Sequence, residues 1–326
     1  MPVHSRARWS RVVAAAAAAL LGIAGCASSI RPVAPPPGVS TGTACGTVTL
    51  AVNPWVGFHA NVAVVSYLAK HELGCTVVEK ELTEEESWAA LARGEVDAIL
   101  ENWGHDDLKK RYIDQEKAAV EHGVTGNKGV IGWYVPPWMV EEYPDITDWR
   151  NLNKYAELFR TPKSGGKGQF LDGDPSYVTN DEALVRNLKL DFKVVYAGSE
   201  EALIQAFRRA EQRRQPLIGY FYAPQWFLSE VELVHVKLPT YVPGCDADPK
   251  TVACDYQPYD LDKIANRRFA LSGSPAAELI KNFQWTDADQ NTVARYITVD
   301  KMTREQAAAK WLDANPKVWQ GWLPRR

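Results

Sequence analysis

Several aromatic side chains of this chain follow apolar, strand-like runs, and such positions are suited to binding a small ligand. The clearest case is Asn102-Trp103-Gly104-His105, which comes after the apolar run at residues 96–100 and presents an indole and an imidazole. In open α/β sheets, ligands bind just beyond the carboxyl ends of the strands. Three other segments combine aromatic and turn residues in the same way, and their candidate residues are Trp55, Tyr177, Tyr222 and Trp226.

A group of aromatic rings can bind a quaternary ammonium ion, which has no hydrogen to donate. The ring faces carry a negative quadrupole, and each desolvated contact contributes on the order of 1–2 kcal/mol. Three or four faces could therefore support micromolar binding, about −8 kcal/mol. Any one of these aromatics alone is better explained by packing in the core. Their shared position after strands favours an aromatic cage.

A predicted helix start adds an anion site to the cage. Thr179-x-x-Glu182 is a capping signature, so a helix is expected to begin just after Tyr177. The free N–H groups of that helix would attract a carboxylate, and His105 would be a further donor. A cation site beside an anion site matches a zwitterionic betaine. Two simpler interpretations remain open, in which Thr179 only caps its helix and His105 only satisfies a loop.

The elements that must position these side chains alternate between strands and helices, which indicates an α/β fold. The predicted strands are residues 47–52, 76–82, 96–100, 129–135, 217–222 and 233–238. The predicted helices are residues 61–73, 84–93 after a Thr83 capping box, 200–213, and several within 276–322, with a further cap at Thr303.

Composition excludes some classes of function. The chain has 326 residues, 46% of them hydrophobic, and this length and composition suit one large or two modest domains. Its net charge is −3. A negative net charge does not indicate a nucleic-acid-binding protein. We find neither a Gly-x-Ser-x-Gly elbow nor a His-Glu-x-x-His motif, so a secreted enzyme is the disfavoured alternative, and no cofactor is predicted.

The N-terminal region is predicted to be an export signal. Arg6, Arg8 and Arg11 precede an apolar run at residues 12–23, which is too short to span a bilayer. The run closes in Ile23-Ala24-Gly25-Cys26, which resembles a bacterial lipobox. We therefore expect a lipoprotein signal peptide at residues 1–25, lipidation of Cys26, and a Pro-rich tether at 26–44. An ordinary signal peptide with a chance cysteine is the alternative. The predicted location is the extracytoplasmic face of the cell membrane.

Four cysteines remain after Cys26, and an even number in an oxidising compartment indicates disulfides. Cys45 and Cys75 each precede a strand of one predicted βαβ unit, whose strands are often neighbours roughly 5 Å apart. We therefore pair Cys45 with Cys75, and Cys245 with Cys254 across a short loop. A metal site, the other interpretation, lacks close Cys-x-x-Cys spacing, so no metal is predicted.

Across roughly residues 46–323, the chain resembles the substrate-binding proteins of glycine betaine/proline betaine ABC importers. Three segments carry this resemblance: Asn102-Trp103 with His105 shortly after, Asp174-Pro175-Ser176-Tyr177, and the group Tyr220, Tyr222, Pro224 and Trp226. The resemblance implies a cage of Trp103, Tyr177 and Tyr222. It also implies that His105 and the amides of Val178 and Thr179 hold the carboxylate.

Some positions depart from the family pattern and bear on the ligand. Tyr177 and Tyr222 stand where the family more often has Trp, and Val178 where it often has Gly. Trp55 resembles a cage Trp of the related choline-binding branch, in which an Asp lies two residues further on. Here that residue is Gly57, which argues against choline.

The resemblance also implies the architecture and the partners. It predicts a two-lobed periplasmic-binding-protein fold of type II, with the ligand cleft between lobes that are joined by crossing hinge strands. Lobe 1 is expected at residues 45–132 and 239–326, and lobe 2 at 133–238. The implied partners are a permease and an ATPase subunit, with the protein itself a monomer. Choline, carnitine or another small ligand, and a lipid-anchored sensor uncoupled from transport, are the alternatives.

Overall fold

A computed structural model describes residues 45–177 and 179–325 of the chain. The strands are β1 (Thr47–Val52), β2 (Thr76–Glu81), β3 (Ala98–Asn102), β4 (Ala119–Val135), β5 (Gly168–Asp172), β6 (Phe192–Tyr196), β7 (Gly219–Ala223), β8 (Val234–Val236) and β9 (Tyr259–Asn266). The α-helices are α1 (Val56–His71), α2 (Glu84–Arg93), α3 (Asp106–Leu108), α4 (Pro137–Glu142), α5 (Leu152–Tyr155), α6 (Asp181–Asn187), α7 (Glu200–Arg213), α8 (Arg267–Ala270), α9 (Pro275–Asn282), α10 (Asp287–Thr298), α11 (Arg304–Ala314) and α12 (Pro316–Trp319).

The strands form two groups that share the long strand β4. In the first group, which we call lobe 1, β1 lies parallel to β2 and β3, and β9 lies antiparallel to β3 and β4. In the second group, lobe 2, β5 is parallel to β6 and β7, while β7 and β8 are antiparallel to β4. Strand β4 changes partners between Gly129, which pairs with β9, and Val130, which pairs with β7. This is the predicted α/β fold with two lobes.

Strand β4 begins ten residues before the predicted strand at 129–135, since it starts at Ala119. Its first half contains Gly123 and Gly126, both at positive φ, and its register with β9 shifts twice there. Such irregularities break the alternation of apolar and polar residues by which a strand is recognised. The sequence signal was therefore limited to the regular second half.

Helix α1 begins at Val56, five residues before the predicted start. The residue before it is Trp55, whose indole has no oxygen to accept a hydrogen bond, so the usual capping signal is missing from the sequence. Most of α1 is buried, and it packs on α10 and α11. A helix that is buried on nearly all sides has a weak amphipathic pattern, so its start is hard to recognise from the sequence.

Three other helix starts agree with the sequence. The capping boxes of Thr83 with Glu86 and of Thr303 with Gln306 are both present, and α7 spans the predicted residues with Ser199 as its cap. Each cap satisfies backbone N–H groups that the first helical turn leaves unpaired.

The predicted start of the helix after Tyr177 is wrong. Helix α6 begins at Asp181, with Asn180 in the capping position. The hydroxyl of Thr179 instead donates to Oδ2 of the buried Asp172 at 3.0 Å. A buried carboxylate needs hydrogen-bond donors, and the Thr179 side chain is oriented by Asp172 rather than by the first turn of α6.

Both predicted disulfides are present. Cys45 and Cys75 have Cα atoms 4.9 Å apart, and Cys245 and Cys254 have Cα atoms 6.3 Å apart. The first pair follows from the parallel register of β1 and β2, in which Thr47 lies beside Thr76. The second pair closes the loop between β8 and β9.

The signal peptide, Cys26 and the tether at 26–44 lie outside the described residues, as does Val178. In the part of the chain that the structure describes, no helix has the length and apolar character needed to cross a bilayer. The same residues contain no cluster of three or more His, Cys, Asp or Glu side chains placed to hold a metal ion.

Candidate ligand-binding site

Aromatic side chains from both lobes line a cavity of about 550 Å³. Trp55 and Trp103 follow β1 and β3 of lobe 1, Tyr177 follows β5 of lobe 2, and Tyr222 lies near the end of β7. We call these four residues the aromatic box. As predicted from the sequence, its members come from the carboxyl ends of strands.

The rings of the aromatic box stand nearly perpendicular to one another. Trp55 meets Tyr177 with centroids 5.9 Å apart and planes at 88°, and Trp103 meets Tyr222 at 5.6 Å and 87°. Tyr177 and Tyr222 lie at 6.4 Å and 89°. Because each of the first two pairs joins lobe 1 to lobe 2, the box is assembled only where the lobes meet.

Tyr220 also lines the cavity but was not among the predicted site residues. Its ring lies 6.1 Å from that of Tyr177 and 5.9 Å from that of Tyr222. Residues two apart on a strand point to the same face, so its position two residues before Tyr222 was a usable signal.

Two glycines allow these rings to lie against the backbone. A Cβ atom on Gly129 would lie 2.7 Å from Cζ3 of Trp103, and one on Gly173 would lie 2.8 Å from Cδ2 of Tyr177. Real Cβ atoms do not approach other atoms so closely, so a larger residue at either position would displace a wall of the box.

A buried carboxylate, Glu101, holds the two tryptophans of the box. Its Oε1 atom accepts hydrogen bonds from Nε1 of Trp55 at 2.7 Å and from Nε1 of Trp103 at 2.9 Å. Its Oε2 atom accepts from Asn61 and from Gln290, the latter at 3.0 Å. Burial raises the pKa of Glu101 to about 7, against the effect of these donors. The only sequence signal was an acid within the buried strand β3.

A second carboxylate, Glu200, holds Tyr222. Its Oε1 atom accepts from the Tyr222 hydroxyl and from Nε2 of Gln225 at 2.8 Å, and its Oε2 atom accepts from the backbone N–H of Val56 at 2.9 Å. Burial raises the pKa of Glu200 as well. The sequence did not predict that Glu200 would bind Tyr222, because Glu200 is the first residue of a predicted amphipathic helix and carries no other local signal.

His105 lines the cavity, and Nε2 of its ring lies 2.9 Å from Oε1 of Glu84. Both side chains are nearly buried, with 8% and 11% of their area exposed. Burial lowers the pKa of His105, but the hydrogen bond to Glu84 and the charge of that carboxylate outweigh it, so the pKa is raised. Glu84 therefore fixes the ring and stabilises its protonated form.

Two predicted site residues lie apart from the box. The side chain of Thr179 is bonded to Asp172, although its neighbour Asn180 lines the cavity. The ring of Trp226 packs on Phe227 and lies 5.8 Å from the guanidinium carbon of Arg208, outside the lining formed by the described residues. Of the predicted residues, the structure brings together Trp55, Trp103, His105, Tyr177 and Tyr222.

The two-lobed fold with a lined cavity between the lobes defines a solute-binding protein of the periplasmic-binding-protein class. Residues 46–314 match the family described as the substrate binding domain of ABC-type glycine betaine transport systems. The chain belongs to this family.

The chain is similar to the trimethylamine N-oxide-binding protein of Pelagibacter ubique (strain HTCC1062), with 30% identity over 192 residues. The match covers 56% of this chain and 61% of that relative, so it spans less than two thirds of the relative's length.

Solved structures establish the same fold. Lactococcal OpuAC, in its closed-liganded conformation with glycine betaine, has a TM-score of 0.68 and 20% identity, covering 86% of this chain and 100% of that one. An ABC-transporter choline binding protein in complex with choline has a TM-score of 0.70 and 18% identity, covering 85% and 91%. The glycine betaine, L-proline-binding protein ProX of Borrelia burgdorferi has a TM-score of 0.69 and 15% identity, covering 86% and 97%.

Proposed function

We propose that this chain is the extracytoplasmic solute-binding component of an ABC importer and that it binds glycine betaine or a similar quaternary ammonium compatible solute. The observation that carries the proposal is the aromatic box, in which four rings from two lobes surround one cavity. Such a box suits a cation that cannot donate hydrogen bonds. Glu101, behind the two indoles, adds a negative charge when it is ionised.

The proposed anion site lies at the other end of the ligand. His105, which Glu84 orients, and the backbone amides of Val178 and Thr179 are proposed to hold a carboxylate. The raised pKa of His105 supports this role, because an imidazolium attracts an anion. Trp226 is left out of the proposed site because its ring packs against Phe227 and Arg208.

The remaining parts of the proposal concern the whole protein. We propose lobe 1 at residues 45–132 and 239–326 and lobe 2 at 133–238, with closure of the lobes completing the aromatic box. Cleavage before Cys26, lipidation of that residue and the tether at 26–44 would hold a monomer on the extracytoplasmic face of the membrane. There it would pass its ligand, chemically unchanged, to a permease that an ATPase drives.

A second candidate is a ligand that carries a methylated nitrogen but no carboxylate. Among the described residues that line the cavity, four are acidic and one is a lysine. The acidic residues are Glu84, Asp106, Asp107 and Asp246, and the lysine is Lys110. This surplus of negative charge favours a cation such as choline over a zwitterion. The similarity to a trimethylamine N-oxide-binding protein supports testing that compound as well.

Calorimetric titration with glycine betaine, proline betaine, carnitine, choline, trimethylamine N-oxide and proline in parallel separates these candidates. The proposal predicts that the betaines bind with micromolar dissociation constants and that choline binds more weakly. If choline or trimethylamine N-oxide binds as tightly as the betaines, the anion site is wrong. If no compound with a methylated nitrogen binds, the aromatic box is not a cation site.

A further inference from the structure

Glu200 connects the two lobes at the edge of the aromatic box. It is the first residue of α7 in lobe 2, and its Oε2 atom accepts from the backbone N–H of Val56, the first residue of α1 in lobe 1, at 2.9 Å. The first turn of a helix leaves N–H groups unpaired and carries a partial positive charge. Because the preceding Trp55 has no acceptor oxygen, a carboxylate from the opposite lobe takes the place of a capping side chain.

The other oxygen of Glu200 is bonded to the box itself. Oε1 accepts from the hydroxyl of Tyr222 and from Nε2 of Gln225. One carboxylate therefore connects a ligand-facing ring of lobe 2 with the helix that follows Trp55, a ligand-facing ring of lobe 1. Any opening of the lobes at this edge has to break the bond between Glu200 and Val56.

Two of the other contacts between the lobes differ from this one. The hydroxyl of Tyr177 donates to the backbone oxygen of Pro54 at 3.3 Å, which is a longer bond between uncharged groups. Arg295 and Glu230 form an ion pair at 3.1 Å, but 46% and 31% of their side-chain areas are exposed. Solvent weakens such an exposed pair. Glu200 is better placed than either of these two contacts, because its bonds are charge-assisted and shielded.

We propose that Glu200 is a positioning residue that latches the lobes together over the occupied box and sets how long the ligand stays bound. The inference rests on the proposed ligand-binding function. When Tyr222 faces a bound cation, its hydroxyl fixes the carboxylate, and the second carboxylate oxygen is aimed at the N-terminus of α1. Closure is thereby coupled to an ordered box.

The test substitution is Glu200→Gln, because one amide oxygen cannot replace two carboxylate oxygens that accept from three donors. Hydrogen bonds to charged groups are strong enough that we expect glycine betaine to dissociate about 10- to 100-fold faster. The association rate should change less than about threefold, because substitutions at one interface act mainly on the dissociation rate. The matched control is Glu201→Gln, which makes the same charge change at the exposed neighbouring residue.

The measurement is stopped-flow tryptophan fluorescence on the full chain in dodecyl maltoside, a detergent without a quaternary amine that could enter the box. The inference is overturned if glycine betaine dissociates from Glu200→Gln at a rate within twofold of that for the unmodified protein. It is also overturned if Glu201→Gln accelerates the dissociation of glycine betaine equally. Tyr222→Phe keeps the ring and removes one donor, so it serves as a second variant should Glu200→Gln fold poorly. It should speed dissociation, and the double variant should add little beyond Glu200→Gln.

A ligand-free measurement separates the latch from the proposed function. In the structure the Val56 amide is bonded to Glu200, so its hydrogen exchange should be slow and should accelerate at least tenfold in Glu200→Gln but not in Glu201→Gln. If glycine betaine does not bind but this difference is seen, the proposed ligand is wrong and the link between the lobes stands. If exchange at Val56 is the same in all three proteins, the latch is wrong whichever ligand binds.

Discussion

The indole of Trp103 donates a hydrogen bond from Nε1 to the Oε1 atom of Glu101 at 2.9 Å. Trp55 donates to the same oxygen, so one buried carboxylate fixes two rings of the aromatic box. The position of these rings is set before a ligand arrives, and a preorganised site loses less entropy on binding. The same carboxylate lies behind both rings, where a negative charge would favour a bound cation.

Replacing Trp103 with alanine should weaken binding of glycine betaine by about 100-fold or more, because it removes one wall of the box and its cation–π contact. The thermal transition should remain nearly unchanged, since the ring is only partly buried. Calorimetry and thermal unfolding test the two statements. Trp319→Ala is the matched control. Like Trp103, Trp319 is partly buried, and its Nε1 atom donates a hydrogen bond, here to the backbone oxygen of Leu312 at 3.0 Å. Unlike Trp103, it lies outside the cavity lining formed by the described residues. Equal losses in both variants would count against the box.

Binding of a cationic ligand should strengthen as the pH rises from about 6 to 8. Burial raises the pKa of Glu101 to about 7, so the carboxylate gains its charge in this range and attracts the ligand. A bound cation lowers that raised pKa, so binding releases a proton. Calorimetry in buffers of different ionisation enthalpy detects the release. Glu101→Gln should bind roughly 10-fold more weakly at pH 8 and should lose the component of the pH dependence that Glu101 supplies; an unchanged profile would exclude Glu101 as its source.

The stability of the ligand-free protein should change with pH in the opposite direction. The pKa of Glu101 rises from an ordinary 4.5 to about 7 on folding, so the native state holds a proton that the unfolded state has lost. The contribution of Glu101 to the free energy of unfolding therefore decreases from about pH 4.5 to about pH 7, by on the order of 3 kcal/mol. Denaturant titrations of the unmodified protein and of Glu101→Gln at several pH values measure this contribution as their difference.

Removing the imidazole of His105 should affect ligands according to their charge. His105→Ala leaves Glu84 without its partner at the cavity wall, so a carboxylate-bearing ligand loses a donor and also meets an unpaired negative charge. We expect glycine betaine to bind at least about 10-fold more weakly and choline to change less than about threefold. Parallel titrations decide the matter, and equal losses for the two ligands would remove His105 from the anion site.

Much of the fold could be predicted because its signals are local. Strand β1 and helix α7 have the predicted bounds, since a regular apolar run and an amphipathic pattern define them locally. The starts of β4 and α1 could not be found in this way. Shifts of register conceal the first half of β4, and the start of α1 is bonded to a residue 144 positions away.

In the site, as in the fold, features with local sequence signals could be predicted and features set by residues distant in sequence could not. Trp55, Trp103, Tyr177 and Tyr222 could be found because each follows a strand-like run, and parallel strands bring such positions together. The roles of Glu101 and Glu200 arise from partners distant in sequence, such as Gln290 and Val56, so no local sequence pattern predicts these roles. The packing of Trp226 on Arg208 depends in the same way on a distant helix.

The most direct test of the central claim compares glycine betaine with 3,3-dimethylbutanoate, which has the same shape but a neutral carbon in place of the charged nitrogen. Calorimetric titration of the purified protein with both compounds isolates the contribution of the cation. If the aromatic box recognises a quaternary ammonium group, glycine betaine binds with a micromolar dissociation constant and the carbon analogue at least about 100-fold more weakly. Equal affinities would show that the rings provide only an apolar surface, and that result would contradict the account.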